Sequence, residues 1–238
     1  MDKPLVSCVC VTYDRPYLIN ELVYCFLMQD YKNKELIILN DQEDVKYIYT
    51  DSKVKIFNIP TRFPSLGTKR NYSRKLTNGE YIFIMDDDDI YYSNHISRLL
   101  KFHQENDDCD VVGNNMCHYS QDNKDIQKQI NPLAFNGACF KKEYYLNNEF
   151  PNEKSCAEDL DFIRNAKITK LDDGETSWHY RWGLDAWHIS GMGGDGQESY
   201  NIVTKKTYQY IEITKNVTKK GMIMLKPTIS NEVKEYYR

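Results

Sequence analysis

Short apolar runs alternate with amphipathic stretches through the first half of the chain. Leu5 to Val11 is a near-continuous apolar run, the pattern of a central parallel strand buried on both faces. Pro16 then opens a helix in which Leu18, Leu22, Cys25 and Phe26 recur at helical spacing through Tyr31. Glu35 to Leu39 is again short, apolar and strand-like, and it ends at Asn40-Asp41. Lys53 to Ile59 reads as a strand, Gly67 to Leu76 as a basic helix stopped near Gly79, and Tyr81 to Met85 as another strand. This rhythm predicts an α/β fold: a doubly wound, mostly parallel central sheet flanked by helices.

The rhythm loosens in the second half. A helix is expected from about Asn94 to Glu105 and a strand at Asp110 to Gly113, whereas residues 114–133 are polar and loop-like. Ala134 to Phe140 reads as a strand and Ala157 to Asn165 as a helix whose Glu158 and Asp159 suit its first turn. The five glycines among residues 183–200 point to a mobile loop. Tyr208 to Thr214 and Met222 to Leu225, around Lys219-Lys220-Gly221, read as a hairpin within a C-terminal appendage spanning 201–238.

Composition narrows the function classes. The chain has 238 residues, 41% of them hydrophobic and 28% charged, enough for one sizeable buried core. With 35 acidic and 31 basic side chains the net charge is −4, so no overall field recruits nucleic acid. The lysines at 205, 206, 215, 219, 220 and 226 are interleaved with polar residues and read as a solvated face. The seven cysteines form no CxxC pair, and Cys8 and Cys10 sit on one strand face as small hydrophobes. That pattern suits a reduced, cytoplasmic chain. No run of eighteen apolar residues exists, so neither a membrane span nor a signal peptide is expected.

The sharpest chemical signal is YIFIMDDDDIYY. Four adjacent carboxylates, Asp86 to Asp89, follow an apolar strand, and open α/β sheets place ligands outside such strand ends. Their mutual repulsion is relieved by a divalent cation, and hard oxygen donors at i and i+2 favour Mg²⁺ or Mn²⁺ with phosphate oxygens completing the shell. A solvated acidic turn is the plainer alternative.

Asp86-Asp87-Asp88 matches the DXD motif of nucleotide-sugar glycosyltransferases with the GT-A fold. The ordered set VSCVCVTYDRP, ELIILND, GTKRNYSRKLTNGEYIFIMDDDD and AEDLDF resembles the inverting family 2 glycosyltransferases over roughly residues 4–190. The resemblance implies a GT-A domain over 1–200, with a nucleotide-binding half at 1–92 and an acceptor half at 93–200. It implies that Thr12, Tyr13, Asp14 and Arg15 border the nucleotide base, with Tyr13 stacking on it and Asp41 accepting a hydrogen bond from uracil. Arg70, with Lys69, matches the basic, donor-binding position of the family's ARN-like segment, an exposed helix face being the plainer alternative. Asp87 is placed near the ribose and Asp88 on the metal, with Asp86 a weaker ligand and Asp89 a cap of the following turn.

Glu158-Asp159 matches the family's ED motif, which makes Asp159 the general base that takes the acceptor hydroxyl's proton. A helix cap is the structural alternative, and Asp161 reads as structural. In WHYRWGLDAWHISG the family carries a histidine that reaches the metal or diphosphate. His188 after Tyr180-Arg181 is the better match, and His179 the reserve. Trp178, Trp182 and Trp187 form either a sugar platform or core. The glycine-rich 191–196 segment is either a lid or a connector.

The resemblance implies a metal-dependent inverting transferase using a UDP-sugar, UDP-glucose being the first candidate. The acceptor would be a glycan, a glycoprotein or a lipid-linked molecule met at a membrane surface. Competing readings are a non-catalytic sugar-nucleotide-binding scaffold and a sugar-1-phosphate nucleotidyltransferase, whose glycine-rich phosphate loop TYDRP replaces. A phosphatase with a DXD motif is remote, because Ile90 stands where Thr or Val is expected.

Overall fold

The computed structural model describes residues 3–121, 123–131, 135–154, 157–182 and 221–234. Its centre is a seven-stranded sheet. In chain order the strands and helices that build its first half are β1 (Val6–Thr12), α1 (Pro16–Met28), β2 (Lys34–Asn40), β3 (Val45–Ile48), β4 (Val54–Asn58), α2 (Leu66–Arg74) and β5 (Tyr81–Ile84). The second half adds β6 (Ile90–Tyr91), α3 (His95–Glu105), β7 (Val111–Asn114), β8 (Met116–Gln121), β9 (Lys124–Ile130), β10 (Cys139–Lys141), α4 (Lys142–Asn147), α5 (Glu158–Phe162), β11 (Ile168–Leu171) and β12 (Trp178–Trp182). A last strand, β13 (Gly221–Met224), precedes a short helix at Asn231–Lys234.

The sheet order is β11-β7-β10-β5-β1-β2-β4. β1 lies parallel to β2 and β5, and β2 lies parallel to β4. β10 runs antiparallel between β5 and β7, so the sheet is mostly rather than wholly parallel. The apolar run read at Leu5 to Val11 owes its character to this place: with a strand on each side and cover on both faces, Val6, Cys8, Val9 and Cys10 are all buried. Register puts Thr12 beside Asn40, and Met85 donates its backbone N–H to Val9 O at 3.0 Å. The chain therefore leaves β1, β2 and β5 along one edge, the place where an open α/β sheet binds ligands.

Several expectations need correction. Residues 116–121 and 124–130, read as loop, form the β8–β9 hairpin of a second sheet ordered β6-β12-β8-β9. β9 is an edge strand whose side chains are mostly exposed, so it carries lysines and glutamines instead of a clear apolar alternation. Asn123, at φ 57, takes the left-handed conformation a tight hairpin turn requires. The strand expected over 134–140 is confined to Cys139–Lys141, and the helix expected over 157–165 to Glu158–Phe162.

The Met222–Leu225 arm pairs in parallel with β3. Residues 208–214, expected as its hairpin partner, lie outside the described residues. So do the glycine-rich 191–196 segment, Trp187 and His188. Leu225, Ile229 and Val233 are buried in the main core, so the described segment 221–234 packs into the body.

Candidate active site

The site is built where β1, β2 and β5 end. After β1, Thr12 Oγ1 donates to Asp87 Oδ2 at 2.6 Å, and Arg15 Nη1 reaches Asp87 Oδ1 at 2.7 Å and Asp88 Oδ2 at 3.2 Å. Asp14 sits between them at φ 52, a conformation uncommon for a residue with a side chain. Gln42 Nε2 donates to its Oδ1 at 3.0 Å. The TYDRP turn is thus tied both to the acidic cluster and to the end of β2.

Asp41, wholly buried, follows β2. Its Oδ1 takes Lys69 Nζ at 2.5 Å and Arg62 Nη1 at 2.5 Å, and its Oδ2 takes the Phe63 backbone N–H at 3.0 Å. Lys69 Nζ also donates to Thr12 O at 2.6 Å, which closes the triangle between β1, β2 and α2. Burial pulls the Lys69 pKa down to about 8, against the attraction of Asp41. The Arg62 guanidinium lies 3.8 Å from the centroid of the Tyr13 ring. Arg62 carried no signal of its own in the sequence, because it sits in the irregular segment between β4 and α2.

Arg70, the next residue on α2, points to the other side. Its Nη2 lies 3.4 Å from Asp86 Oδ1 and its Nε 3.0 Å from Glu158 Oε1. The rings of Phe135 and Phe150 lie 5.0 and 5.9 Å from its guanidinium carbon. Asn136 Nδ2 donates to Asp86 Oδ2 at 3.1 Å. Burial raises Asp86 to about 6, with repulsion from Asp88 and Asp87 adding to it and Arg70 opposing it. Burial likewise lifts Glu158 to about 7, against Arg70 and reinforced by Asp159. Glu158 is therefore the buried partner of Arg70, whereas Asp159 is only half-buried. Ala157, immediately before them, has φ 54, so the chain reverses sharply into α5.

The 150–154 segment holds this corner against α2. Asn71 Nδ2 donates to Phe150 O at 2.8 Å, and Gly67 N donates to Lys154 O at 2.9 Å. A Cβ on Gly67 would lie 1.9 Å from Pro151 O, so only glycine permits the approach.

Asp89 turns away from the cluster. It accepts Trp178 Nε1 at 2.9 Å and the Arg181 backbone N–H at 3.1 Å, anchoring the acidic turn to β12 across the fold. That replaces the expected capping of its own turn. Arg181, also buried, adds Nε to Asp88 O at 2.7 Å and Nη1 to Glu21 Oε2 at 2.8 Å. Trp178 belongs to the core. His179, the reserve metal ligand, pairs through Nε2 with Ser120 Oγ at 2.8 Å inside the second sheet. Asp161 pairs with Lys154 and Arg164, as a structural residue would.

Among the described residues no three His, Cys, Asp or Glu side chains converge as a ready-made metal centre. The donor chemistry still fits a hard divalent cation. Asp86 and Asp88 offer carboxylate oxygens two residues apart, and the raised Asp86 pKa marks a carboxylate whose negative charge is under-compensated. Water and a ligand's phosphate oxygens would complete the shell.

Residues 7–164 match the family model for glycosyl transferase family 2. The chain belongs to that family. Over 154 residues it is 30% identical to an uncharacterized glycosyltransferase of Methanocaldococcus jannaschii, covering 61% of this chain and 52% of that protein. It is also 30% identical over 128 residues to the glycosyltransferase GlyG of Streptococcus pneumoniae, covering 51% of this chain and 41% of that one. The chain thus spans about half the length, or less, of these relatives.

Its fold resembles S. aureus TarS 1-349 in complex with UDP-GlcNAc, with TM-score 0.60 and 18% identity, over 85% of this chain and 66% of that one. It also resembles the mannosyltransferase PcManGT of Pyrobaculum calidifontis in complex with GDP-Man and Mn²⁺, with TM-score 0.54 and 15% identity, over 92% and 66% of the two chains. The fold is that of the GT-A glycosyltransferases. Among the described residues no helix is long and apolar enough to cross a membrane.

Proposed function

We propose that this family 2 chain is a glycosyltransferase that moves a sugar from a nucleoside-diphosphate sugar, UDP-linked in the simplest case, to an acceptor hydroxyl with inversion. The observation that carries the reading is the bridge made by Arg70, which binds both Asp86 and Glu158 and so gathers the acidic turn and the Glu158-Asp159 corner into one cluster. The candidate general base, Asp159, then follows directly on Glu158 in that cluster. Similarity to proteins solved with UDP-GlcNAc and with GDP-Man and Mn²⁺ supports the donor class.

In this reading the nucleobase lies at Tyr13 and Asp41, with Thr12, Asp14, Arg15 and Lys69 holding the walls of its subsite and Asp87 nearest the ribose. Asp86 and Asp88 would hold Mn²⁺ or Mg²⁺, and that cation supplies positive charge beside the diphosphate as it departs. His188, if it reaches the diphosphate as the family pattern implies, does so from outside the described residues. Asp159 takes the acceptor hydroxyl's proton while the acceptor oxygen bonds to the anomeric carbon from the face opposite the breaking bond to the diphosphate. Its half-buried position suits a group that must meet an incoming acceptor. Glu158 is already engaged with Arg70, which leaves it a positioning role.

Calorimetric titration of UDP, UDP-glucose and GDP-mannose, with Mn²⁺ and again with EDTA, tests the donor site. Binding that requires the cation is the expected outcome, and metal-independent or absent binding counts against it. Asp159→Asn is expected to bind donor as the wild type does while transfer falls by about 100-fold or more. A variant that transfers normally removes Asp159 from the chemistry.

A further inference from the structure

We propose that Arg62 is a built-in competitor for the nucleobase, a residue that occupies the base subsite through Tyr13 and Asp41 and thereby sets the affinity for donor. The inference rests on the reading above that puts the base at Tyr13 and Asp41. A planar guanidinium lying 3.8 Å from the Tyr13 ring centroid is in stacking contact with it. The same group gives an N–H to Asp41 Oδ1 at 2.5 Å. Those are the two interactions a uracil would make there, through its π-face and its ring N–H. The ring face that Arg62 covers and the Asp41 oxygen it engages cannot hold a base at the same time, so a base seated on that face and Arg62 exclude each other.

The surroundings allow the exchange. Arg62 lies between β4 and α2 in a segment fixed at its two ends, by Ile59 N–H to Asn40 O at 2.8 Å and by Thr68 N–H to Ser65 Oγ at 3.0 Å. Its neighbour Phe63 is held by its backbone N–H on Asp41 and by its ring, 5.3 Å from that of Tyr72. The backbone can therefore stay in place while the Arg62 side chain, which is 23% exposed, rotates towards solvent. Asp41 keeps Lys69 and the Phe63 N–H throughout, so its buried charge is never left uncompensated. The contacts Arg62 gives up are subtracted from the free energy of nucleotide binding, as for any protein whose binding-competent conformer is a fraction of the whole.

Arg62→Ala and Arg62→Lys in the full chain, titrated with UDP and with inorganic pyrophosphate in the presence of Mn²⁺, test this. Arg62→Ala is expected to bind UDP about tenfold more tightly than wild type, the size of one stacked, partly desolvated cation contact. Pyrophosphate, which has no base, should gain nothing. Arg62→Lys keeps the charge and loses the planar stack, so it should fall between the two and serves alone if the alanine variant does not fold. Unchanged or weaker UDP binding would overturn the proposal and make Arg62 a holder of the donor. An equal gain for pyrophosphate would overturn it as well, since the effect would not lie at the base. Should wild type bind no nucleotide at all, the donor-site reading fails and takes this inference with it. A wild type that binds beside variants that gain nothing sinks the inference alone.

Discussion

Lys69 carries a full charge into a place closed to water, and two partners justify it: Thr12 O at 2.6 Å and Asp41 Oδ1 at 2.5 Å. Removing one member of a buried pair strands the other, which is costlier than never having buried either. Lys69→Met should therefore lower stability by about 3 kcal/mol in urea unfolding, at the low end for such a change because Asp41 keeps Arg62 and the Phe63 N–H. A loss under 1 kcal/mol would show that Arg62 and the Phe63 N–H suffice for Asp41. The sequence pointed to Lys69, Arg70 and Asp41 through the motifs they sit in. It was silent on Arg62 and Asn136, which reach the site from irregular segments where neither periodicity nor charge pattern distinguishes them. Asp89 was legible as part of an acidic run, but its partners Trp178 and Arg181 lie about ninety residues away and could not be read locally.

At the scale of elements, α2 acts as the hub. Ser65 caps it by accepting the Thr68 backbone N–H, Lys69 and Arg70 leave it towards the two halves of the site, and Gly67 lets the 150–154 segment press against its first turn. Gly67→Ala would drive a methyl into Pro151 O, so either the helix or the segment must retreat. We expect a loss of about 2 kcal/mol, the usual cost of overpacking, together with weakened transfer as the Glu158-Asp159 corner shifts. Unchanged thermal stability would mean that the two segments separate freely. The strands β1, β2 and β5 were readable because burial on both faces leaves an almost unbroken apolar run. β8 and β9 were missed for the opposite reason: a half-solvated hairpin at a sheet edge needs few apolar residues, and its turn chemistry was a weak signal among many polar neighbours.

Across the whole molecule, two sets of buried groups pull stability in opposite directions with pH. Asp86 and Glu158 keep protons in the fold up to about 6 and about 7, above their ordinary 3.8 and 4.5, so their contribution declines as pH rises through that window. His95 and His179 are held near 3 by burial, with the charges of Arg98 and Arg181 adding to it respectively. Unfolded histidines bind protons below about 6.5, so the stability these two contribute is complete above that value and is lost as pH falls towards 3. The opposing slopes partly cancel between pH 5 and 6.5. Asp86→Asn removes one side of the balance, and its stability should drop about 1 kcal/mol further than the wild type's on going from pH 7 to pH 5 in urea unfolding. A parallel profile for the two proteins would mean that Asp86 titrates near its ordinary value.

The sequence by itself determined the α/β class, the order of the first strands and helices, and the motif residues Asp14, Asp41, Asp86 to Asp88 and Asp159. The elements rest on apolar periodicity and Asp86 to Asp88 on a cluster of like charges at a strand end, whereas Asp14, Asp41 and Asp159 stand out through their resemblance to the family's motifs. Only the tertiary structure decided which carboxylates are spent on internal partners. It tied Asp89 to β12, gave Glu158 to Arg70, closed Asp41 with Lys69 and Arg62, and drew Leu225, Ile229 and Val233 into the core beside α1. Those outcomes depend on contacts between segments far apart in the chain, where burial sets the strength of each charge pair and no local pattern records the partner.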